Sequence, residues 1–305
     1  MSGTVVIVGS LNMDLVVRAP RHPQPGETII GSDFQTFPGG KGANQAVAVA
    51  RLGGKVRMIG RVGQDAFGEA LLATVAQDGV DTTYIRRDPD APTGVALITL
   101  DAAGQNTIVV ASGANWRVSA QDVYAAEAAF KGAEVLLMQL ECPLDAVEAA
   151  TDLAHRYGLQ VVLNPAPARP LPPHLLARVD YLLPNQPELS LLAGGESDRE
   201  AAIRAVQAMG ARNLVVTLGE EGALLAIGDQ REHLPAYKVT VVDTVAAGDA
   251  FAGAFALALS EGKSVREAAI WGNAAGAIAV TRPGAQPSMP RRDELLQFLK
   301  ERGQP

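Results

Sequence analysis

The 305-residue sequence predicts an α/β fold, with a mainly parallel central sheet, helices on both faces and a small β-sheet lid. Three observations carry that prediction. Short apolar runs without alternation recur along the chain, as strands buried on both faces require. Helical periods fall between those runs, the pattern of parallel strands joined by crossover helices. Two stretches, about 11–37 and 84–111, break the rhythm with alternating segments and no convincing helix.

Val5 to Val8, closed by Gly9, reads as the first buried strand. Ala43 to Leu52 then reads as a helix, Val56 to Ile59 as a strand, and Phe67 to Gln77 as a helix stopped by Gly79. Val135 to Leu140, Leu144 to Tyr157 and Leu159 to Leu163 continue as strand, helix and strand. Tyr181 to Leu183 is a short strand, Ala201 to Met209 a helix ended by Gly210, and Leu214 to Leu218 another buried strand. Two Ala-rich helices, about 248–260 and 264–279, come near the end. In the second irregular stretch, Thr93 to Leu100 and Thr107 to Val110 flank the polar loop Asp101 to Asn106, a hairpin signal. The chain is expected to form one domain over 1–305. Its two β insertions would pair as a lid over the strand ends, where α/β proteins bind ligands.

Composition narrows the classes of function. Lys+Arg number 26 against 33 Asp+Glu, a net charge of −7 with no basic cluster, which argues against nucleic acid and anionic membrane as partners. The segment 239–259 is apolar, but Asp243 and Asp249 inside it spoil a membrane span. No basic, apolar leader opens the chain, and the single cysteine, Cys142, reads as a buried structural thiol. A soluble protein of the reducing cytoplasm is expected. His22, His155, His174 and His233 lack ligand spacing, and Trp116 and Trp271 read as packing residues.

The most informative segment is Asp243-Thr-Val-Ala-Ala-Gly-Asp-Ala-Phe251. It sets Asp249 at the mouth of an apolar helix, behind the small residues Ala246, Ala247 and Gly248. Unpaired N–H groups at a helix start attract an anion, and small side chains let an oxyanion approach them. An acidic side chain there could take a proton from a hydroxyl while the N–H groups hold a phosphoryl group. A plain helix-capping Asp would fit the same local pattern.

Gly39-Gly40-Lys41-Gly42-Ala43-Asn44-Gln45 is a second cluster. It is not a P-loop, because Lys41 precedes Gly rather than Ser or Thr. Its glycines permit close backbone approach, and Lys41 and Asn44 suit hydroxyl groups, although a Gly-rich turn would look alike. Asn12 and Asp14 follow the first strand two residues apart and so face the same way. Glu141 and Asn185 each follow a later strand, so several strand ends deliver polar side chains together. Thr217 to Gly222 closes another strand and could admit a nucleotide phosphate, or simply turn a hairpin. Asn185-Gln-Pro-Glu188 offers an amide and a carboxylate near a helix start, suited to water-mediated Mg²⁺.

Together these segments resemble the ribokinase-like carbohydrate kinases from Val5 to about Leu299. The paired signatures are Gly39-Gly40-Lys41-Gly42-Ala43-Asn44 and Asp243-Thr-Val-Ala-Ala-Gly-Asp249, with Asn12-x-Asp14 before them. Thr93 to Ile98, Gly113-Ala114-Asn115 and Thr281 to Ser288 narrow the likeness to the ribose-phosphorylating members. The resemblance implies transfer of the ATP γ-phosphoryl group to the C5 hydroxyl of D-ribose. It implies Asp249 as base and the N–H groups of Ala246, Ala247 and Gly248 as an anion hole. Asn12, Asp14, Gly40, Lys41, Asn44, Glu141 and Asp249 would hold the sugar. Asn185, Thr217, Gly219, Gly222, Gly248 and Asn273 would meet the nucleotide, with Glu188 in the motif linked to Mg²⁺. It further implies a K⁺ site using Asp243, Val245, Ala279, Arg282, Gly284 and Ser288, and a homodimer formed lid against lid. Val245 departs from the Thr that members often carry, which leaves a carbonyl ligand intact. A sibling kinase for deoxyribose, fructose or adenosine is the nearest alternative, and a non-catalytic sugar sensor a remote one.

Overall fold

The computed structural model describes residues 3–304. Its strands in chain order are β1 (Thr4–Val8), β2 (Asn12–Arg18), β3 (Phe34–Gly39), β4 (Lys55–Gly63), β5 (Val80–Asp81), β6 (Ile85–Asp88) and β7 (Gly94–Leu100). They continue with β8 (Asn106–Ala111), β9 (Val135–Met138), β10 (Gln160–Leu163), β11 (Tyr181–Leu182), β12 (Asn213–Thr217), β13 (Ala223–Ile227) and β14 (Gln230–Leu234). The helices are α1 (Lys41–Arg51), α2 (Ala66–Gln77), α3 (Ala120–Ala125), α4 (Leu144–Tyr157) and α5 (Pro173–Leu176). After them come α6 (Gln186–Leu192), α7 (Arg199–Ala208), α8 (Ala247–Ser260), α9 (Val265–Ala279) and α10 (Arg292–Glu301).

The large sheet runs β14-β13-β12-β11-β10-β9-β1-β4-β5, with β6 also paired to β4. It is parallel from β12 to β5 and antiparallel only at the β12-β13-β14 edge. The burial of β1 explains its unbroken apolar run. Val5 and Ile7 join one core with α1, α8 and α9, while Val6 and Val8 join a second core with α4 and α7 on the other face. Alternate side chains point to opposite faces, so both sets must be apolar when both faces are covered.

A separate four-stranded sheet has the order β3-β2-β7-β8. Asp14 stands beside Ala96, which stands beside Val110, and Val16, Ile98 and Ile108 form the next such row. Cross-strand partners share a face, so Ala96, Ile98 and Ile108 lie on the Asp14 side of this sheet.

Some expectations need correction. Ile85–Asp88 pairs with β4 rather than with the small sheet, so only β7 and β8 of the 84–111 stretch contribute to the latter. The segment after Thr217 turns into β13, as the hairpin alternative allowed, and β14, polar at four of its five positions, gave no alternating signal in the sequence. Trp116 is half exposed, its ring 5.5 Å from the Arg169 guanidinium, whereas Trp271 is buried as packing requires. Cys142 is fully buried, and that burial pushes its thiol up to about 12.

Candidate active site

The strand ends of the large sheet converge on the N-termini of α1 and α8. Gly40 makes the α1 approach possible: its φ is 88°, and a Cβ there would lie 2.7 Å from the Asn12 nitrogen. Gly42 is packed as tightly, with an added Cβ 2.5 Å from the Ser10 nitrogen. Larger residues would push α1 off the end of β1. The helix has no side-chain cap of its own. Instead the Glu141 carboxylate accepts the Lys41 N–H at 3.1 Å and the Ser10 hydroxyl, so a residue beyond β9 caps it.

Asn12 is fixed by Asn115, whose amide donates to the Asn12 Oδ1 at 2.7 Å and to the Leu11 carbonyl at 3.0 Å. This leaves the Asn12 amide hydrogens for a ligand. Asp14 faces the same space. Burial, Glu141 and Asp249 push its carboxyl up to about 7, while Lys41 opposes them. The Lys41 ammonium is shifted up, chiefly by Asp249, against the effect of its own burial. Four carboxylates (Asp14, Glu141, Glu188 and Asp249) thus surround one lysine.

Asp249 lies in the first turn of α8 and is 6% exposed. Asn44 donates to its Oδ2 and Gln45 to its Oδ1, both at 2.9 Å. Just before it, Ala246 adopts the left-handed conformation at φ 58°, and α8 starts without a side-chain cap. Among the described residues, no acceptor takes the N–H of Ala246 or Gly248. The Ala247 N–H differs from expectation, since it makes a long 3.4 Å bond to the Thr244 carbonyl. A Cβ on Gly248 would meet no protein atom within 4 Å, so open space stands over the helix start.

That space is a cavity of about 200 Å³ lined by Lys41, Asn185, Glu188, Thr217, Gly248 and Asp249, among others. Asn185, Thr217 and Gly248 also line a larger cavity of about 1100 Å³, which Gly219, Gly222 and Asn273 help to enclose. The two therefore form one cleft. The larger part is mainly apolar, with Tyr237, Val239 and Phe251 in its wall. Asn273 turns partly away, donating to the Leu234 carbonyl at 3.3 Å.

Asn185 and Glu188 make a reciprocal capping box at the start of α6, each accepting the other's backbone N–H at 2.8 Å. This spends one oxygen of each side chain and leaves the Asn185 amide and one Glu188 oxygen to the cavity. Burial shifts the Glu188 carboxyl up, while the Asn185 N–H and Lys41 act against it.

Of the residues expected around a monovalent cation, Asp243, Val245 and Gly284 are joined by hydrogen bonds. Asp243 accepts the Gly284 N–H at 2.9 Å and the Val245 N–H at 3.0 Å, and Val242 and Asp243 both donate to the Val280 carbonyl. Ser288 is fully buried and donates to the Ala285 carbonyl. The Arg282 guanidinium is held by Glu294, so only its carbonyl can serve an ion. The donor set is oxygen only, as a hard cation requires. Among the described residues, no cluster of three or more His, Cys, Asp or Glu could hold a metal.

Residues without an assigned role in the sequence complete the site: Ser10 on Glu141, Gln45 and Asn164 near Asp249, and Gln139 behind Gln45. Gln45 lies inside a motif already singled out. Only its position next to Asn44 could have marked it.

Comparison with known proteins places the chain in a family. Residues 2–292 match the model of the pfkB family carbohydrate kinases. The chain is 43% identical to a ribokinase from Haemophilus influenzae over 98% of this chain and 99% of the relative. It is 37% identical to a deoxyribokinase from Salmonella typhi over 97% and 98% of the two chains. A solved structure of Arabidopsis thaliana ribokinase with ribose and ATP superposes with a TM-score of 0.91, at 36% identity over 98% of this chain and 99% of that one.

Proposed function

The chain belongs to the pfkB family of carbohydrate kinases, and on that premise we propose that it phosphorylates D-ribose at O5 with ATP, releasing D-ribose 5-phosphate and ADP. The carrying observation is the place of Asp249. It lines the cavity that opens into the larger cleft, and its carboxylate also faces Asp14 and Lys41.

In this reading the sugar hydroxyls bind Asn12, Asp14, Gly40, Lys41, Asn44 and Glu141, and Asp249 takes the proton of the C5 hydroxyl. Asn44 suits the role because its Oδ1 is buried without a protein partner while its amide already serves Asp249. The nucleotide fills the larger cavity beside Thr217, Gly219, Gly222 and Asn273, and its phosphates reach Asn185 and the start of α8. There the Ala246 and Gly248 N–H groups, with the helix dipole, face the charge that develops on the phosphoryl oxygens. The Lys41 ammonium stands on the same side.

The unspent Glu188 oxygen fits Mg²⁺ held through water. The oxygens of Asp243 and Ser288, with carbonyls at Val245, Ala279, Arg282 and Gly284, fit K⁺. Bound Mg²⁺ supplies charge neutralisation at the phosphates, and K⁺ supplies it in the loops flanking α8. The small sheet acts as a lid that excludes water from the transfer. Its exposed apolar side chains, among them Phe34, Leu97, Ile108 and Val109, support pairing of two copies lid to lid. Among the described residues no helix is long and apolar enough to cross a membrane, and the cytoplasm is the proposed location.

The test is ADP release from ATP and Mg²⁺ with ribose, deoxyribose, fructose, fructose 6-phosphate or adenosine, in K⁺ and in Na⁺. Selective turnover of ribose, raised by K⁺, is expected. Selective turnover of deoxyribose would keep the mechanism and overturn the substrate. Ribose binding without turnover would turn the reading towards a sensor.

A further inference from the structure

We propose that Gln45 is a positioning residue for Asp249, fixing the plane of its carboxylate. This rests on the reading of Asp249 as the base.

The orientation of the Gln45 amide follows from its neighbours. An ionised carboxylate only accepts hydrogen bonds, so the Gln45 NH₂ group must face the Asp249 Oδ1, 2.9 Å away. Its second hydrogen goes to the Asn164 Oδ1 at 3.1 Å. Its own oxygen accepts from the Gln139 amide. Asn164 is anchored in turn, donating to the Leu183 carbonyl at 2.9 Å. The ends of β9, β10 and β11 therefore hold the Gln45 amide in place, and the amide holds Asp249.

Asn44 and Gln45 are consecutive on α1, yet they have different capacities. Asn44 keeps a buried oxygen without a protein partner, free for a sugar hydroxyl. Gln45 has spent both hydrogens inside the protein and is fully buried. It cannot hold the sugar through its amide hydrogens and acts through Asp249.

The charge around Asp249 gives such a donor a task. Asp14 on β2, Glu141 after β9 and Glu188 on α6 face this space as carboxylates, with Lys41 on α1 as the single cation. Two amide donors, one on each oxygen, hold the Asp249 carboxylate in place among these charges and keep its remaining lone pairs aimed at the cavity.

The experiment measures kcat and the KM for ribose at neutral pH in the parent enzyme and in Gln45→Met, Gln45→Glu and Asp249→Asn. For Gln45→Met, kcat at neutral pH falls roughly 10-fold, as expected for a charge-assisted bond. Its KM for ribose stays within about threefold, because the amide does not hold the sugar. Gln45→Glu keeps the acceptor for Gln139 but loses the donor to Asp249, and lowers kcat at least as far. Should Gln45→Met fold poorly, the isosteric Gln45→Glu carries the same test. Near-parent kcat in both Gln45 variants, or a raised KM with unchanged kcat, would overturn the proposal. Near-parent turnover in Asp249→Asn would instead overturn the base itself, and the role of Gln45 with it.

Discussion

The Glu141 carboxylate accepts the backbone N–H of Lys41 at 3.1 Å, although the two lie 100 residues apart in sequence. The bond joins the end of β9 to the start of α1 and gives that helix the negative cap its own sequence lacks. The same carboxylate takes the Ser10 hydroxyl beyond β1. One side chain therefore ties together the ends of two strands and the start of a helix.

Replacing Glu141 separates capping from binding. Glu141→Ala is expected to lower stability by about 1 kcal/mol, the usual worth of a cap, and to raise the KM for ribose at least roughly 10-fold, as a lost charged hydrogen bond does. Glu141→Gln keeps an acceptor for the Lys41 N–H and recovers stability but not ribose affinity. Thermal melts and initial rates check both. An unchanged KM in both variants would leave Glu141 as a cap alone.

Asp14 makes a prediction in pH. Its carboxyl is raised from 3.8 to about 7 in the folded protein. The folded state therefore binds the proton more tightly than the unfolded chain between those values. Stability contributed by this group is full below about pH 4 and is lost as pH rises through about 7, a few kcal/mol at most. Asp14→Asn removes that loss. Without ribose it should melt at or above the parent temperature at alkaline pH and match the parent at acid pH. Ribose affinity in the parent should rise as pH passes through about 7, because the ionised carboxylate is the better acceptor. Calorimetric titration across that range measures it.

Gly248→Ala tests the open space over α8. The added methyl meets no protein atom within 4 Å, so stability is expected to hold or rise by up to about 1 kcal/mol from helix propensity. The methyl would still intrude where the two cavities meet. Turnover should fall by roughly 10-fold or more if a phosphoryl group passes there. Melting temperature and kcat measured on the same preparation decide it. A stable variant with full activity would remove Gly248 from the anion hole.

The lid surface predicts an association. Ile108 and Val109 lie on opposite faces of β8, an edge strand, and are 52% and 66% exposed. Changing both to Lys places charge on either face and on the edge, which opposes strand pairing between copies. Sedimentation should then show a monomer where the parent is a dimer. A parent that is monomeric throughout would discard the lid dimer.

The sequence by itself determined the alternation of buried strands and helices, because a strand covered on both faces must be apolar throughout and a helix must repeat with its own period. It also marked Asn12, Asp14, Gly40, Lys41 and Asp249, because glycines and carboxylates at strand and helix ends are visible as local patterns. Only the tertiary structure decided that β6 joins the large sheet, since its four residues carry no signal for one neighbour over another. It alone decided that Glu141 caps α1 and that Gln45, fully buried, bonds Asp249 across 204 residues of chain. Hydrogen bonds between side chains depend on distances that chain folding creates. A glutamine in a helix looks the same in the sequence whether it faces water or a buried carboxylate.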